Sequence, residues 1–219
     1  MLPTTPAING SLQAVDYHPE TLPFLRTPPI TEFGVAKTHS DVVDCWRLVH
    51  ECYVGAGLID SNEYQIHTSL QAASPESITI FGRTRSRIDS TVTIIADGQH
   101  GLPLDKVYKS TLDQLRSQGH KLVEVGLLAD AREEISKSLD QSFGTMRYAV
   151  CAAIHAQANI VIGVHPRHAG FYSRMLGMDV IGQLSQHPTV NNRPVVPMML
   201  DISRLRLEPL PRLLRYIKA

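Results

Sequence analysis

Several signatures are missing from this 219-residue chain. It has no GxGxxG, no GxxxxGKS/T, no GxSxG and no HExxH. Those absences remove the usual marks of dinucleotide oxidoreductases, P-loop ATPases, α/β-hydrolases and zincins. Charge of one sign is not in excess, because Lys plus Arg and Asp plus Glu both total 21. No general attraction to nucleic acid follows from that, and any basic patch must be local. No apolar run approaches the ~18 residues that cross a membrane. Cysteine is scarce and odd in number: Cys45, Cys52 and Cys151. The opening MLPTTPAING has neither the basic nor the apolar region of a signal peptide, so a reducing cytoplasm is the expected compartment. Cys45 and Cys52 stand seven apart on a predicted helix and share a face, as packed side chains do. A zinc site would want closer ligands and a second cluster. His165 and His168 are three apart but lack a nearby carboxylate or thiolate, so no metal is expected.

What remains is an ordinary globular composition, 43% hydrophobic and 19% charged, enough for one domain with a full core. Residues 1–34 carry six prolines, Pro3 to Pro29, and no periodic pattern. They read as a Pro-rich leader before a single domain over 35–219. In that domain Ser40 is the expected cap of a helix with Val42, Val43, Trp46, Val49 and Tyr53 at helical spacing, stopped by the glycines of GAG at 55–57. Segments 77–83 and 90–98 alternate like two antiparallel strands. A turn, GLPLD (101–105), precedes a helix over 109–119 and a strand over 120–130. An alanine-rich helix over 145–158, a strand to Val164 and a short helix after His165-Pro166 follow. Two strand segments, 178–184 and 195–205, and a basic helix, LPRLLRYIKA, finish the chain. Antiparallel strands followed by a βαβ unit predict an α+β fold. It would hold a mixed, mainly antiparallel twisted sheet with helices on both faces.

Two residues stand out in this frame. Glu124 interrupts an apolar strand. Alternation puts Leu122, Glu124 and Gly126 on one face and Val123 and Val125 on the other. A carboxylate there is costly to bury without a partner. It is either a general base in a cleft or half of a salt bridge, with Arg116 or Arg147 as partner. Tyr172 lies in the first turns of the helix that follows His165. Beside Phe171, it either faces a cleft or packs with its hydroxyl on backbone. His165 and His168 are titrating groups near pH 7 or parts of a solvated turn.

The order of elements, with FYSRMLGM (171–178) late in the chain, resembles the GNAT acyltransferase fold. More specifically, STVTIIADGQHGLPLDKVY and LDQLRSQGHKLVEVGLLAD within 90–130, RLVHECYVGAGLID (47–60) and HPRHAGFYSRMLGM (165–178) together resemble one family. It is that of the long-chain N-acyl amino acid synthases known from environmental DNA, relatives of the acyl-homoserine lactone synthases. The similarity spans about residues 40–205. It implies an N-acyltransferase that joins a fatty acyl group, carried as a thioester on acyl carrier protein, to the amine of an amino acid. It also implies roles. Glu124 would take the amine proton. The backbone at Gly126 and Leu127, where GNAT strands splay, would meet the thioester oxygen, and Tyr172 would protonate the leaving sulfur.

One departure matters. Ordinary GNATs cradle the coenzyme A pyrophosphate on a glycine-rich loop at a helix N-terminus. The corresponding stretch here, ADAREEISKSLDQSFGTMRY, has one glycine, Gly144. That suits a donor offering only a phosphopantetheine arm on acyl carrier protein. Ser142, Gly144 and Thr145 are then candidate donors to its phosphate, or Ser142 or Thr145 is a plain helix cap. A carrier protein is acidic, so docking needs local basic charge. Arg83, Arg85 and Arg87 of GRTRSR, with Arg167 and Arg174, are the candidates. The first three otherwise make a solvated hairpin turn. No tightly bound cofactor and no nucleic-acid partner are expected. Three alternatives stay open: an acyl-homoserine lactone synthase, an acyl-coenzyme A-dependent GNAT, and a non-catalytic module that binds lipid or carrier protein.

Overall fold

The computed structural model describes residues 32–84, 86–131 and 135–204, and within 135–144 the backbone alone. The leader up to residue 31, Arg85 and the basic C-terminal segment lie outside the described residues. The elements in order are β1 (Glu32–Val35), α1 (His39–Gly55), β2 (Ile78–Thr84), β3 (Arg87–Ala96), α2 (Asp105–Ser117), β4 (Leu122–Asp130), α3 (Ile135–Ala156), β5 (Asn159–Val164), α4 (Pro166–Leu176), β6 (Asp179–Val180), β7 (Ser185–His187) and β8 (Arg193–Leu200).

Among the described residues the strands form one sheet in the order β1-β2-β3-β4-β5-β8-β6, with β7 also on β8. Every pair is antiparallel except β4–β5. The α+β architecture expected from the sequence is therefore present, and helices cover both faces. Val92, Ile94, Val123, Val125, Ile160 and Ile162 point to one face, where Met146, Ala149, Val150 and Ala153 of α3 and Leu176 of α4 cover them. The small residues of α3 let it lie close to the strands. On the other face Ile95, Leu122 and Val161 pack with Leu102, Leu104, Tyr108 and Leu112 around α2. Cys45, Leu48 and Val49 of α1 pack there on Phe81, Ile88 and Ala129. Leu127 touches both of these clusters and joins them.

Several elements differ from the expected ones. The cap of α1 is Thr38, two residues before Ser40. The Thr38 Oγ1 accepts from the Asp41 N–H at 3.1 Å, and the Asp41 carboxylate accepts from the Thr38 N–H at 3.3 Å. This reciprocal pair outbids a lone serine. α2 starts at Asp105, so GLPLD runs directly into the helix. α3 starts at Ile135, ten residues earlier than expected. Ile135, Leu139 and Phe143 repeat every four residues, and a single interior glycine costs only about 1 kcal/mol. β7 is an added short strand, and β1 takes in the last residues of the segment read as leader.

Candidate active site

β4 and β5 pair only over Leu122–Glu124 with Asn159–Val161. Beyond that point they part. On its other edge β4 continues along β3, but with a break: Gly126 pairs with Thr93, and Ala129 with Thr91. Three steps on β4 meet two on β3, so β4 carries a bulge, and Leu127 within it adopts φ 49°. A bulge bends its strand and deepens the local twist, which carries β4 away from β5. Gly163 lies in β5 with strands on both sides of it in the sheet order, yet it is exposed. The open edge of β5 is one wall of a slot. Gly126 and Leu127 form the other.

Glu124 stands where the ladder ends. It is buried, at 6% exposure. Its Oε2 accepts the backbone N–H of Leu104 at 2.8 Å, and its Oε1 would lie 3.8 Å from a Cβ on Gly126. No cation among the described residues pairs with it. Arg116, expected as a possible partner, is committed elsewhere. It binds Asp97 at 2.7 and 3.0 Å, Asp105 at 2.8 Å twice and Asp113 at 2.8 Å. Arg147 belongs to α3, on the face covered by Val123 and Val125 rather than that of Glu124. Burial pushes the Glu124 carboxyl up to about 8. The Leu104 N–H opposes that rise, and the nearby Asp105 charge adds to it.

Tyr172 approaches from the opposite face. It is partly buried on α4 against the α3-side core, with the Phe171 ring edge-on at 5.5 Å. Burial raises its phenol above the usual range. Its position follows from the start of α4: His165 is extended, its Nδ1 accepts the Arg167 N–H at 3.3 Å, and Pro166 occupies the first helical position. The ring nitrogens of His165 and His168 thus serve this turn, since the His168 Nε2 also accepts from the Arg167 Nε at 3.0 Å.

A third group had no signal of its own in the sequence. Tyr53 on α1 reads as core, because it completes the Val42–Val49–Tyr53 apolar series. In the fold its ring rests 5.2 Å from that of His67. Its phenol is raised first by burial, then by the charges of Tyr172, Cys52 and Glu124. Tyr53 on α1 thus lies within electrostatic reach of both Glu124 on β4 and Tyr172 on α4. The Leu104 amide is also new, and no side chain announces it.

The remaining expected residues divide. Gly126 and Leu127 line the slot. Ser142, Gly144 and Thr145 are not at a helix N-terminus. They lie two to three turns inside α3, where each N–H is directed at the carbonyl four residues back, and Thr145 is fully buried. The phosphate-binding expectation for these three is corrected accordingly. Arg83 is not a free docking group. It binds Asp41 at 2.9 Å and stacks over the Phe81 ring at 4.4 Å. Arg87 is exposed, 3.8 Å from Glu51, and Arg167 and Arg174 are exposed on α4. Arg85 lies outside the described residues. Because Ser90 pairs with Asp130 and β4 runs parallel to β5, Arg87 at the start of β3 lies at the same end of the sheet as the C-terminal ends of β4 and β5. No helix among the described residues is long and apolar enough to cross a membrane.

A mainly antiparallel sheet that opens between its one parallel pair defines the GNAT-type acyltransferase class. Within it, the chain belongs to the N-acyl amino acid synthase FeeM family, whose profile matches residues 44–201. It is an acyltransferase. The structure of FeeM, an N-acyl amino acid synthase from uncultured soil microbes, superposes with a TM-score of 0.72 at 23% identity, covering 85% of this chain and 96% of that one. The acyl-homoserine lactone synthase LasI gives 0.60 at 12% identity, covering 86% and 96%. An acyl-CoA N-acyltransferase from Pseudomonas aeruginosa gives 0.55 at 11% identity, covering 77% and 97%. A comparison with curated proteins found no match.

Proposed function

We infer that this N-acyltransferase transfers a fatty acyl group from the phosphopantetheine thioester of acyl carrier protein to the amine of an amino acid. The observation that carries this reading is Glu124: a buried carboxylate with one N–H partner and no cation, at the point where β4 and β5 part. A carboxyl raised to about 8 is a far better proton acceptor for an attacking amine than one at its ordinary value near ~4.3. In the reaction the amine nitrogen attacks the thioester carbon. Glu124 takes a proton from that nitrogen, and backbone N–H groups at the Gly126–Leu127 bulge stabilise the oxyanion. The C–S bond then breaks, the C–N amide bond stands, and Tyr172 supplies the proton that the departing sulfur takes up. The two groups work from opposite faces of the sheet.

The carrier-protein donor is supported by the lone glycine of the 129–148 stretch and by exposed Arg87 and Arg167 at one end of the sheet. The family's name supports an amino acid as the acceptor. The test is incubation with acyl carrier protein thioesters, or acyl-coenzyme A, and an amino acid mixture, read by mass spectrometry. An N-acyl amino acid formed from the carrier thioester is the expected result. Product from acyl-coenzyme A alone would reassign the donor. An acyl-homoserine lactone, or no product with either donor, would overturn the reading.

A further inference from the structure

The GLPLD turn is held as if its geometry mattered. Leu102 and Leu104 are fully buried, and the Leu102 N–H donates to the Asp105 Oδ2 at 2.7 Å. Gly101 closes the turn at φ 63°. Asp105 is gripped in turn by the two terminal nitrogens of Arg116, which reaches from the last turn of α2. The same guanidinium holds Asp97 just after β3. One side chain thus staples both ends of the segment joining β3 to α2. The product of that staple is the Leu104 N–H, which meets Glu124.

The geometry points to Arg116 and Asp105 as positioning residues for Glu124: their bidentate pair fixes the turn whose Leu104 amide binds Oε2, leaving Oε1 beside Gly126. This rests on the reading of Glu124 as the base. A plain structural role for the pair would act only on stability. A positioning role also acts on the proton affinity of Glu124, and in opposite directions for the two partners. Asp105 is an anion near Glu124 and favours its protonated form. Arg116 is the cation that offsets Asp105.

The other groups around Glu124 do not share this pattern. Tyr53 faces it from α1, and Tyr172 lies across the slot on α4. Asp97 is held by Arg116. β3 and β5 present Ile95 and Val161 as its neighbours, which do not titrate. The Tyr108 hydroxyl of α2 is spent on the Gln183 and Val195 carbonyls.

The experiment titrates the Glu124 carboxyl by carbon NMR in the full chain, with assignment by Glu124→Gln. Three variants are compared with the wild type: Asp105→Asn, Arg116→Gln and the double variant. Asp105→Asn should lower the Glu124 pKa and Arg116→Gln should raise it, each by about one pH unit. The double variant removes the Arg116–Asp105 pair as a unit, leaving only Asp97 to lose its cation, and serves where Arg116→Gln does not fold. It should titrate near the wild type while kcat stays roughly tenfold down, in line with a misplaced base. Shifts of the same sign, or no shift in folded protein, overturn the proposal. A double variant with full kcat overturns it as well. If the carboxyl moves as stated while the pH–rate profile does not follow, the positioning stands and it is the base reading that fails.

Discussion

Gly163 of β5 lies against Leu104 of the turn before α2: a Cβ on Gly163 would stand 2.8 Å from the Leu104 Cδ2 and 3.1 Å from the Val195 Cγ2. Leu104 is fully buried and cannot swing aside. Gly163→Ala should therefore push on the residue whose amide holds Glu124. We expect a stability loss of roughly 1–3 kcal/mol, as for other overpacked sites, and a fall in kcat larger than the change in KM. Thermal melts together with steady-state rates check this. An alanine variant with wild-type melting and kcat would mean that the turn yields freely.

Glu124→Gln should lower kcat by roughly 10²–10⁴-fold with the fold retained, the range for a lost general base. It should also change stability in a pH-dependent way. The folded pKa of Glu124, about 8, lies above the unfolded value near ~4.3. Its contribution to stability is thus fully present below the unfolded pKa and is lost as pH rises through the folded one. The glutamine variant escapes that loss. Its melting temperature should exceed that of the wild type at pH 9, with the margin shrinking towards pH 5. A constant difference across that window would show that the carboxyl titrates normally.

Tyr172 and Tyr53 can be separated by removing one oxygen at a time. A thiolate has a pKa near ~8.5 and departs partly unassisted at neutral pH. Tyr172→Phe should accordingly cost about 10–10²-fold in kcat, less than loss of the base. Tyr53→Phe should cost less still, because its hydroxyl enters from the Glu124 face. The reverse order would assign the acid to Tyr53. Tyr172→Ala should in addition destabilise, since the ring is lost from its packing against α3 and the sheet.

Docking charge is tested on α4. Paired reversal of Arg167 and Arg174 to glutamate should raise the KM for acyl carrier protein and weaken its dependence on salt. Arg83→Gln, which breaks the pairs to Asp41 and Glu32, should lower the melting temperature with KM unchanged. If Arg83 alone moves KM, the docking surface lies at the hairpin rather than on α4.

Much of this protein is legible from its residues because the information is local. A strand repeats every two residues, so the face of Glu124 relative to Val123 and Val125 could be read directly and is the face observed. The helical periods over α1, α2 and α4, the hairpin of β2 with β3 and the βαβ order were also present in the spacing. Ends were less so. The start of α1 turned on a reciprocal bond between Thr38 and Asp41, and α3 runs on through Gly144 to begin at Ile135. What the sequence could not express is where backbone meets backbone. The slot exists because β4 bulges at Leu127, a leucine at φ 49° where neither glycine nor asparagine marks a left-handed residue. The partner of Glu124 is an amide 20 positions away, and an amide is the same in every residue but proline. Tyr53, Glu124 and Tyr172 carry no common motif. They come within electrostatic reach only because α1 and α4 are laid on opposite faces of a sheet that parts between them, and that parting is a property of strand pairing over distance rather than of any stretch of chain.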